Sequence, residues 1–253
     1  MYDLRGKNVV ITGASKGLGA YYSEIAAKSG ANVYLIARDE EKLESVCKKI
    51  NSEGGTSYYF RADVSKPDEV KSVVNKIRVH TTSKIHVLIN NAGNQIRKSF
   101  LDYEVEDFDS IYNVHVRATW LFTKLISAFM IESKIKGSII NISSNVSFQT
   151  RKNMQLYSSA KAAINQLTKA MSNDLSEFGI RVNAIAPGVF KTELNKEILD
   201  SDGGKEMISK IPLKRIGEYS ELSDIMLLLC SDKSSYITGS IFNIDGGYAN
   251  NSI

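Results

Sequence analysis

Short apolar runs recur along the chain, each followed by a longer stretch whose apolar positions return every three to four residues. "NVVIT" (8–12), "NVYLIA" (32–37), "SYYFRA" (57–62), "HVLIN" (86–90), "SIINIS" (138–143), "RVNAIA" (181–186) and "SIFNID" (240–245) read as strands. Their length and near-continuous hydrophobicity suit strands buried on both faces. Stretches between them, such as "LGAYYSEIAAKSG" and "AAINQLTKAMSNDLSEFG", carry the helical period, and Gly30 and Gly179 stand where helix C-caps are expected. Strand–helix alternation repeated this often predicts an α/β fold, a doubly wound parallel sheet with helices on both faces. The chain has three prolines and no low-complexity segment, so residues 1–253 read as one domain. The least periodic stretch, about 190–215, carries Gly203-Gly204. It reads as a substrate lid, or as a surface excursion without a role.

Composition narrows the function classes. Apolar residues make up 43% of the 253 residues and charged residues 24%, as in ordinary globular proteins. The net charge of +4 is small and its signs are mixed, which argues against nucleic acid and membrane surfaces as partners. No apolar run reaches the ~20 residues of a membrane helix. The start, "MYDLRGKNVVITG", lacks a signal-peptide pattern. Cys47 and Cys230 form neither a metal-ligand spacing nor a disulfide framework and read as buried thiols. A reducing, cytoplasmic location is the expectation.

The chemistry begins at "VVITGASKGLGAYYSEIAAKSGANVYLIAR", a strand, a glycine turn, a helix and a second strand. Gly13 permits the tight turn, Gly17 lets backbone approach a pyrophosphate, and Gly19 allows close helix–strand packing. The helix N-terminus offers free N–H groups to phosphates. The spacing Gly-x-x-x-Gly-x-Gly resembles the cofactor motif of the short-chain dehydrogenases/reductases. "NNAG" (90–93), "YSSAK" (157–161), "RVNAIAPGVFKT" (181–192) and "ITGSIFNIDGG" (237–247) match that family's later landmarks in order. The chain is therefore identified as similar to the ~250-residue branch that includes tropinone reductases, 3-oxoacyl-carrier reductases and glucose dehydrogenases. The resemblance implies a seven-stranded Rossmann sheet, a homotetramer, and a small-molecule carbonyl or alcohol substrate. It also assigns cofactor contacts to Ser15, Leu18, Asn90, Ala92, Gly93, Pro187, Gly188, Val189 and Thr192.

An acidic residue at the end of the second strand would hold the ribose 2′-hydroxyl of NAD. In NAD users of the family it stands seven residues after the preceding glycine, which here is Ala37. Arg38 follows, and its guanidinium suits a 2′-phosphate, as does Lys16 in the turn. NADP(H) is the expected cofactor over NAD(H). Asp39 either orients Arg38 or caps the next helix, "DEEKLESVCKKI". Asp63 and Val64 match adenine-contacting positions, although Asp63 also suits an ordinary strand end.

Tyr157 and Lys161 are one helical turn apart. A nearby ammonium lowers a phenol's pKa toward neutrality. The resemblance makes Tyr157 the general acid/base, with Lys161 lowering its pKa and binding the nicotinamide ribose. Thirteen residues before Tyr157 stands Ser144, the implied donor to the substrate oxygen. Its neighbour Ser143 is expected to face elsewhere. The family's fourth active-site member is an asparagine that follows the NNAG glycine by 22 residues; that position is His115. Asn113 is the alternative, but two residues along a helix turns a side chain about 200° away. A neutral imidazole can donate and accept, so His115 can stand in the proton relay with a changed pH profile; the bland reading is packing.

The loop "NVSFQTRKNMQL", with Asn145, Gln149, Arg151 and Lys152, is more polar than expected beside an active site. It suggests a sugar or hydroxy-acid substrate, unless these side chains point into solvent. The reading that results is an NADP(H)-dependent oxidoreductase acting on CH–OH/C=O. The rival is a non-catalytic NADP-binding sensor with the same fold.

Overall fold

The seven apolar runs form one parallel sheet: β1 (Asn8–Thr12), β2 (Asn32–Ala37), β3 (Thr56–Arg61), β4 (Val87–Asn90), β5 (Ser138–Ile142), β6 (Arg181–Pro187) and β7 (Ile241–Ile244). Their order is β3-β2-β1-β4-β5-β6-β7. The structure is a computed structural model that describes residues 2–190 and 201–250. The helices are α1 (Gly17–Lys28), α2 (Glu40–Ser52), α3 (Pro67–His80), α4 (Val105–Tyr112), α5 (Ala118–Glu132), α6 (Gln155–Ser176), α7 (Asp202–Ser209) and α8 (Ser223–Cys230). Observed strand bounds lie within a residue or so of the apolar runs, because pairing ends where a strand's partner turns away. Gly30 and Gly179 close α1 and α6 with φ of +94° and +72°, left-handed angles that relieve the helix ends.

Each face of the sheet buries its own apolar layer. On one side Tyr22, Ala26, Leu43, Leu222 and Leu229 pack on β1, β2 and β6. On the other, Val74, Ile77, Phe122, Ile126 and Met130 cover β1, β4 and β5. A buried polar chain runs through the second layer. Asn90 Nδ2 donates to Asn141 Oδ1 (2.9 Å) and Thr123 Oγ1 (3.2 Å), and Asn141 Nδ2 donates to Thr168 Oγ1 (2.9 Å). It fixes β4, β5, α5 and α6 to one another, with burial making each bond costly to lose.

The strand order reverses direction between β1 and β4, so their C-terminal ends diverge into a crevice. Thr12, buried at the end of β1, closes its floor. Its Oγ1 accepts the backbone N–H groups of Asn91 and Ala92, each at 3.0 Å. Valine has the same shape and no acceptor. Thr12→Val should therefore cost about 1–3 kcal/mol in urea denaturation through two stranded N–H groups, and should loosen the turn that follows β4.

Candidate active site

The crevice opens into a cleft of about 1480 Å³ running along the C-terminal strand ends. Its first wall is the glycine turn. At Gly13, with φ +67°, a Cβ would lie 2.7 Å from the Ala92 Cα; at Gly19 it would lie 2.2 Å from the Gly13 carbonyl oxygen. Neither position admits a side chain. Gly17 is different: its φ is +57°, and nothing lies closer to a Cβ there than the Tyr219 hydroxyl at 3.9 Å. It is a glycine for its backbone angle and leaves open space. Ser15, Lys16, Gly17 and Leu18 line the cleft, while Gly19 is buried behind them. The N-cap, Lys16, makes no side-chain cap bond, and the first turn of α1 has no acidic residue. Uncapped N–H groups beside an open cradle fit a pyrophosphate.

At the far end, Ala37, Arg38, Asp63 and Val64 line the cleft. Arg38 and Lys16 are exposed at its rim. Asp39 caps α2: its Oδ1 accepts the Lys42 N–H at 3.1 Å and its other oxygen pairs with the Lys42 ammonium. The capping reading of Asp39 therefore holds. Asp63 both faces the cleft and ends its strand, since its Oδ1 accepts from the Ser65 N–H (2.9 Å) and hydroxyl (2.7 Å).

The NNAG turn divides its labour. The Asn90 side chain is spent inside the polar chain between β4 and β5, and Asn90 does not line the cleft. Asn91 does, and its Nδ2 donates to the carbonyls of Thr12 (3.0 Å) and Gly13 (3.2 Å). It braces the glycine turn from below, a role that sequence reasoning missed although the motif contains it. Ala92 and Gly93 line the middle of the cleft. On the opposite side, Pro187 and Gly188 do the same. A Cβ on Gly188 would lie 2.5 Å from the Asp245 Cβ. The Val189 carbonyl accepts the Gly217 N–H at 2.9 Å, and Val189 stands just outside the lining. Thr192 and much of the expected lid lie outside the described residues. The part that is described contains the short helix α7, with Ser201 as its cap.

Ser144, Tyr157 and Lys161 meet at the cleft's inner end. Ser143 also lines the cleft, but its hydroxyl is engaged by α6, donating to Asn165 Oδ1 at 2.6 Å. Lys161 is buried, its ammonium donating to the Ile142 carbonyl at 2.6 Å and lying 5.6 Å from the Tyr157 ring centre. Burial pulls the Lys161 pKa from 10.5 down to about 7. Burial also pushes Tyr157 above its ordinary 10, and a hydrogen bond with Ser144 opposes that rise, as does the positive charge of Arg97. These groups can hold an oxygen and pass it a proton.

His115 joins them. The helix between α4 and α5 widens into a π-turn over Asn113–Arg117, which inserts an extra residue into the turn. His115 is buried there, edge-on to Tyr157 with ring centres 5.3 Å apart. Val114 and His115 line the cleft; Asn113 does not. Nε2 of His115 lies 2.8 Å from the Asn94 carbonyl and 3.2 Å from the Asn94 N–H, two bonds that need opposite tautomers; the carbonyl can only accept, so the shorter contact assigns the proton to Nε2 and leaves Nδ1 a buried acceptor without a partner. Burial, then the Lys161 charge, lower the His115 pKa from 6.5 to about 3. The imidazole is neutral at any physiological pH, chiefly through burial, and its own titration cannot reshape a profile near neutrality. The ring also explains Gly93, where a Cβ would lie 2.8 Å from His115 Cε1.

Comparison with known proteins places this geometry. A family model described as enoyl-(acyl carrier protein) reductase matches residues 13–249. The L-xylulose reductase of Caenorhabditis elegans is 35% identical over 99% of this chain and 98% of its own length. Glucose 1-dehydrogenase of Gluconobacter oxydans is 35% identical over 96% of this chain and 91% of its own. The crystal structure of a gluconate 5-dehydrogenase from Burkholderia cenocepacia in complex with NADP and tartrate superposes with a TM-score of 0.93 at 28% identity, covering 99% of this chain and 98% of that one. The chain belongs to the short-chain dehydrogenase/reductase family and is an oxidoreductase of the alcohol–carbonyl type.

Proposed function

We propose that the protein transfers a hydride between NADP(H) and a polar carbonyl or secondary alcohol, such as a sugar or hydroxy acid. The observation that carries this reading is the meeting of Ser144, Tyr157 and Lys161 at the inner end of the cleft that the glycine turn opens. Bound NADP(H) supplies or accepts the hydride. In the reducing direction the Tyr157 hydroxyl donates its proton to the substrate oxygen, and the Ser144 hydroxyl hydrogen-bonds the same oxygen as charge develops. Lys161 would hold the nicotinamide ribose hydroxyls of a bound cofactor, and its ammonium form favours the phenolate that remains. The free Nδ1 of His115 suits a water that returns a proton to Lys161, the relay position of the family's asparagine.

Arg38 and Lys16 supply the preference for NADP(H). No acidic side chain stands at Ala37, and the Asp39 carboxylate is occupied by its cap. The glycines, Ser15, Leu18, Asp63, Val64, Ala92, Gly93, Pro187 and Gly188 hold the rest of the cofactor; the Val189 backbone and Thr192 complete that set, and residues about 190–215 close over the substrate. The oligomer proposed from the family resemblance is a homotetramer; exposed apolar side chains at Val105, Phe108 and Trp120 along α4 and α5 support self-association. The cytoplasm is the proposed location. The rival sensor reading keeps cofactor binding without turnover, and the absence of any departure at Ser144, Tyr157 or Lys161 speaks against it.

Tyr157→Phe should abolish turnover of aldoses, hydroxy-ketones and β-keto esters while NADPH binding, followed by its fluorescence, persists; surviving turnover would refute the proton role. Arg38→Ala should weaken NADPH binding about tenfold or more and spare NADH; an unchanged NADPH Michaelis constant would refute the cofactor assignment. The third test concerns His115. Its pKa is about 3 in the folded protein and 6.5 in the unfolded chain, so between these values the unfolded state binds more protons. Stability therefore falls as pH drops through that window, by at most about 1.4 kcal/mol per pH unit. His115→Asn should lose about 2 kcal/mol less than the parent between pH 6.5 and 4.5 in urea titrations. Equal losses would show that the folded imidazole takes up the proton.

A further inference from the structure

One nitrogen of the His115 ring has two main-chain partners and the other has none. Nε2 lies 2.8 Å from the Asn94 carbonyl oxygen and 3.2 Å from the Asn94 N–H, while Nδ1 is buried without a partner. A neutral imidazole carries one N–H and one acceptor lone pair. Nε2 can therefore donate to the carbonyl or accept from the N–H, but not both. Either neutral form keeps one bond to Asn94 and gives up the other. The two forms differ by an exchange of hydrogen bonds rather than by the loss of one, and the shorter carbonyl contact favours the proton on Nε2.

The ring cannot change the character of Nδ1 by turning over. A half-turn about its Cβ–Cγ bond would exchange Nε2 with Cε1. That would leave a carbon at Asn94 and press a nitrogen against Gly93, where a Cβ would already lie 2.8 Å from Cε1. Tyr157 stands across the ring, with centres 5.3 Å apart and planes at 84°. Asn94 is held independently of the ring, because its Nδ2 donates to Ser110 Oγ of α4 at 2.9 Å. The same helix is tied to the helix of Tyr157, since the Tyr112 hydroxyl donates to Ser159 Oγ at 3.0 Å. Gly93, Asn94, His115 and Tyr157 all line the cleft. A buried neutral ring held in this way at one nitrogen can alter its other nitrogen only by moving its proton.

We propose that Asn94 is a positioning residue of the reacting centre: its main chain holds Nε2 of His115 in either neutral tautomer, so the ring keeps its place beside Tyr157 while Nδ1 changes between acceptor and donor. The exchange takes one proton from Nε2 and places one on Nδ1, both traded with water, so the ring's composition and charge are unchanged. Its purpose rests on the proposed hydride-transfer reading, in which Tyr157 gains and loses a proton at each turnover. Hydrogen bonds around such a group reverse direction as the proton moves, and a neighbour able only to accept would oppose one of the two states. The tautomer itself can be read without turnover.

The test uses the full-length protein with nitrogen-15 in the rings of its three histidines. Long-range proton–nitrogen spectra separate protonated from bare ring nitrogens, and His115→Asn identifies the His115 signals. His86 is the internal control: its Nδ1 accepts the Asn8 N–H at 3.0 Å, which fixes the proton of the neutral ring on Nε2. Spectra are taken of the free protein, with NADP⁺ and with NADPH. His115 should show both forms, with Nε2–H in excess in the free protein, while His86 shows one. With the backbone labelled as well, a scalar coupling between the Asn94 amide nitrogen and His115 Nε2 reads the N–H···N bond directly. Asn94→Pro keeps the carbonyl and removes the N–H, so it should abolish that coupling and move the ratio about tenfold toward Nε2–H. Asn94→Ala keeps both main-chain groups and should keep both forms. A single His115 tautomer in all three states of the parent, with no coupling to Asn94, overturns the proposal and requires no variant to fold. An unchanged ratio in Asn94→Pro overturns it too. In kinetics, Asn94→Pro should lower kcat about tenfold in both directions while NADPH binding, read by fluorescence, is retained; an unchanged kcat overturns the positioning role. Both tautomers in a parent that turns over no carbonyl would instead refute the hydride-transfer reading and leave the hold of Asn94 on His115 standing.

Discussion

One buried hydroxyl, that of Thr12, holds the two halves of the cleft in register. It accepts from the backbone of the NNAG turn at the point where the sheet's winding reverses. Asn91 returns the grip by donating to the carbonyls of Thr12 and Gly13. Because the glycine turn and the NNAG turn approach within a few ångströms, neither can move without breaking these bonds. The phosphate cradle and the reacting centre are thus referred to a common frame rather than to separate loops.

Burial then sets the chemistry, and it acts in opposite senses on neighbours. It lowers Lys161 and His115 and raises Tyr157, each time favouring the uncharged form. Lys161 keeps a compensating carbonyl, His115 a compensating carbonyl for one nitrogen only, and Tyr157 a hydroxyl. The centre is held close to neutral and short of partners, which is the state a substrate oxygen and a ribose can complete. Its unsatisfied atoms include Nδ1 of His115, whose ring stands edge-on to Tyr157.

Much of this was legible in the sequence because it rests on period and spacing. Buried parallel strands write near-continuous apolar runs, and the glycine, NNAG and Tyr-x-x-x-Lys spacings fix which strand end carries which group. What was hidden depends on orientation. Asn90 and Asn91 are the same residue type side by side, and strand alternation sends one into the sheet and the other to the cleft. The π-turn at 113–117 leaves no compositional mark, although it seats His115 and rejects Asn113. Polarity alone could not say whether Arg151 faces water or the interior; only its packing on Tyr248 and Met207 does.

The glycine turn is shaped by main chain against main chain: Gly19 against the Gly13 carbonyl, Gly13 against Ala92. The groups it would offer to a phosphate are backbone amides, which no substitution short of proline removes. Lys16 and Arg38, by contrast, are exposed side chains outside the packed core. On the proposed cofactor reading, the common grip and the means of discrimination would be carried by different kinds of atom. Drift at the rim would then alter which adenosine ribose is favoured while the fold and the cradle stay as they are.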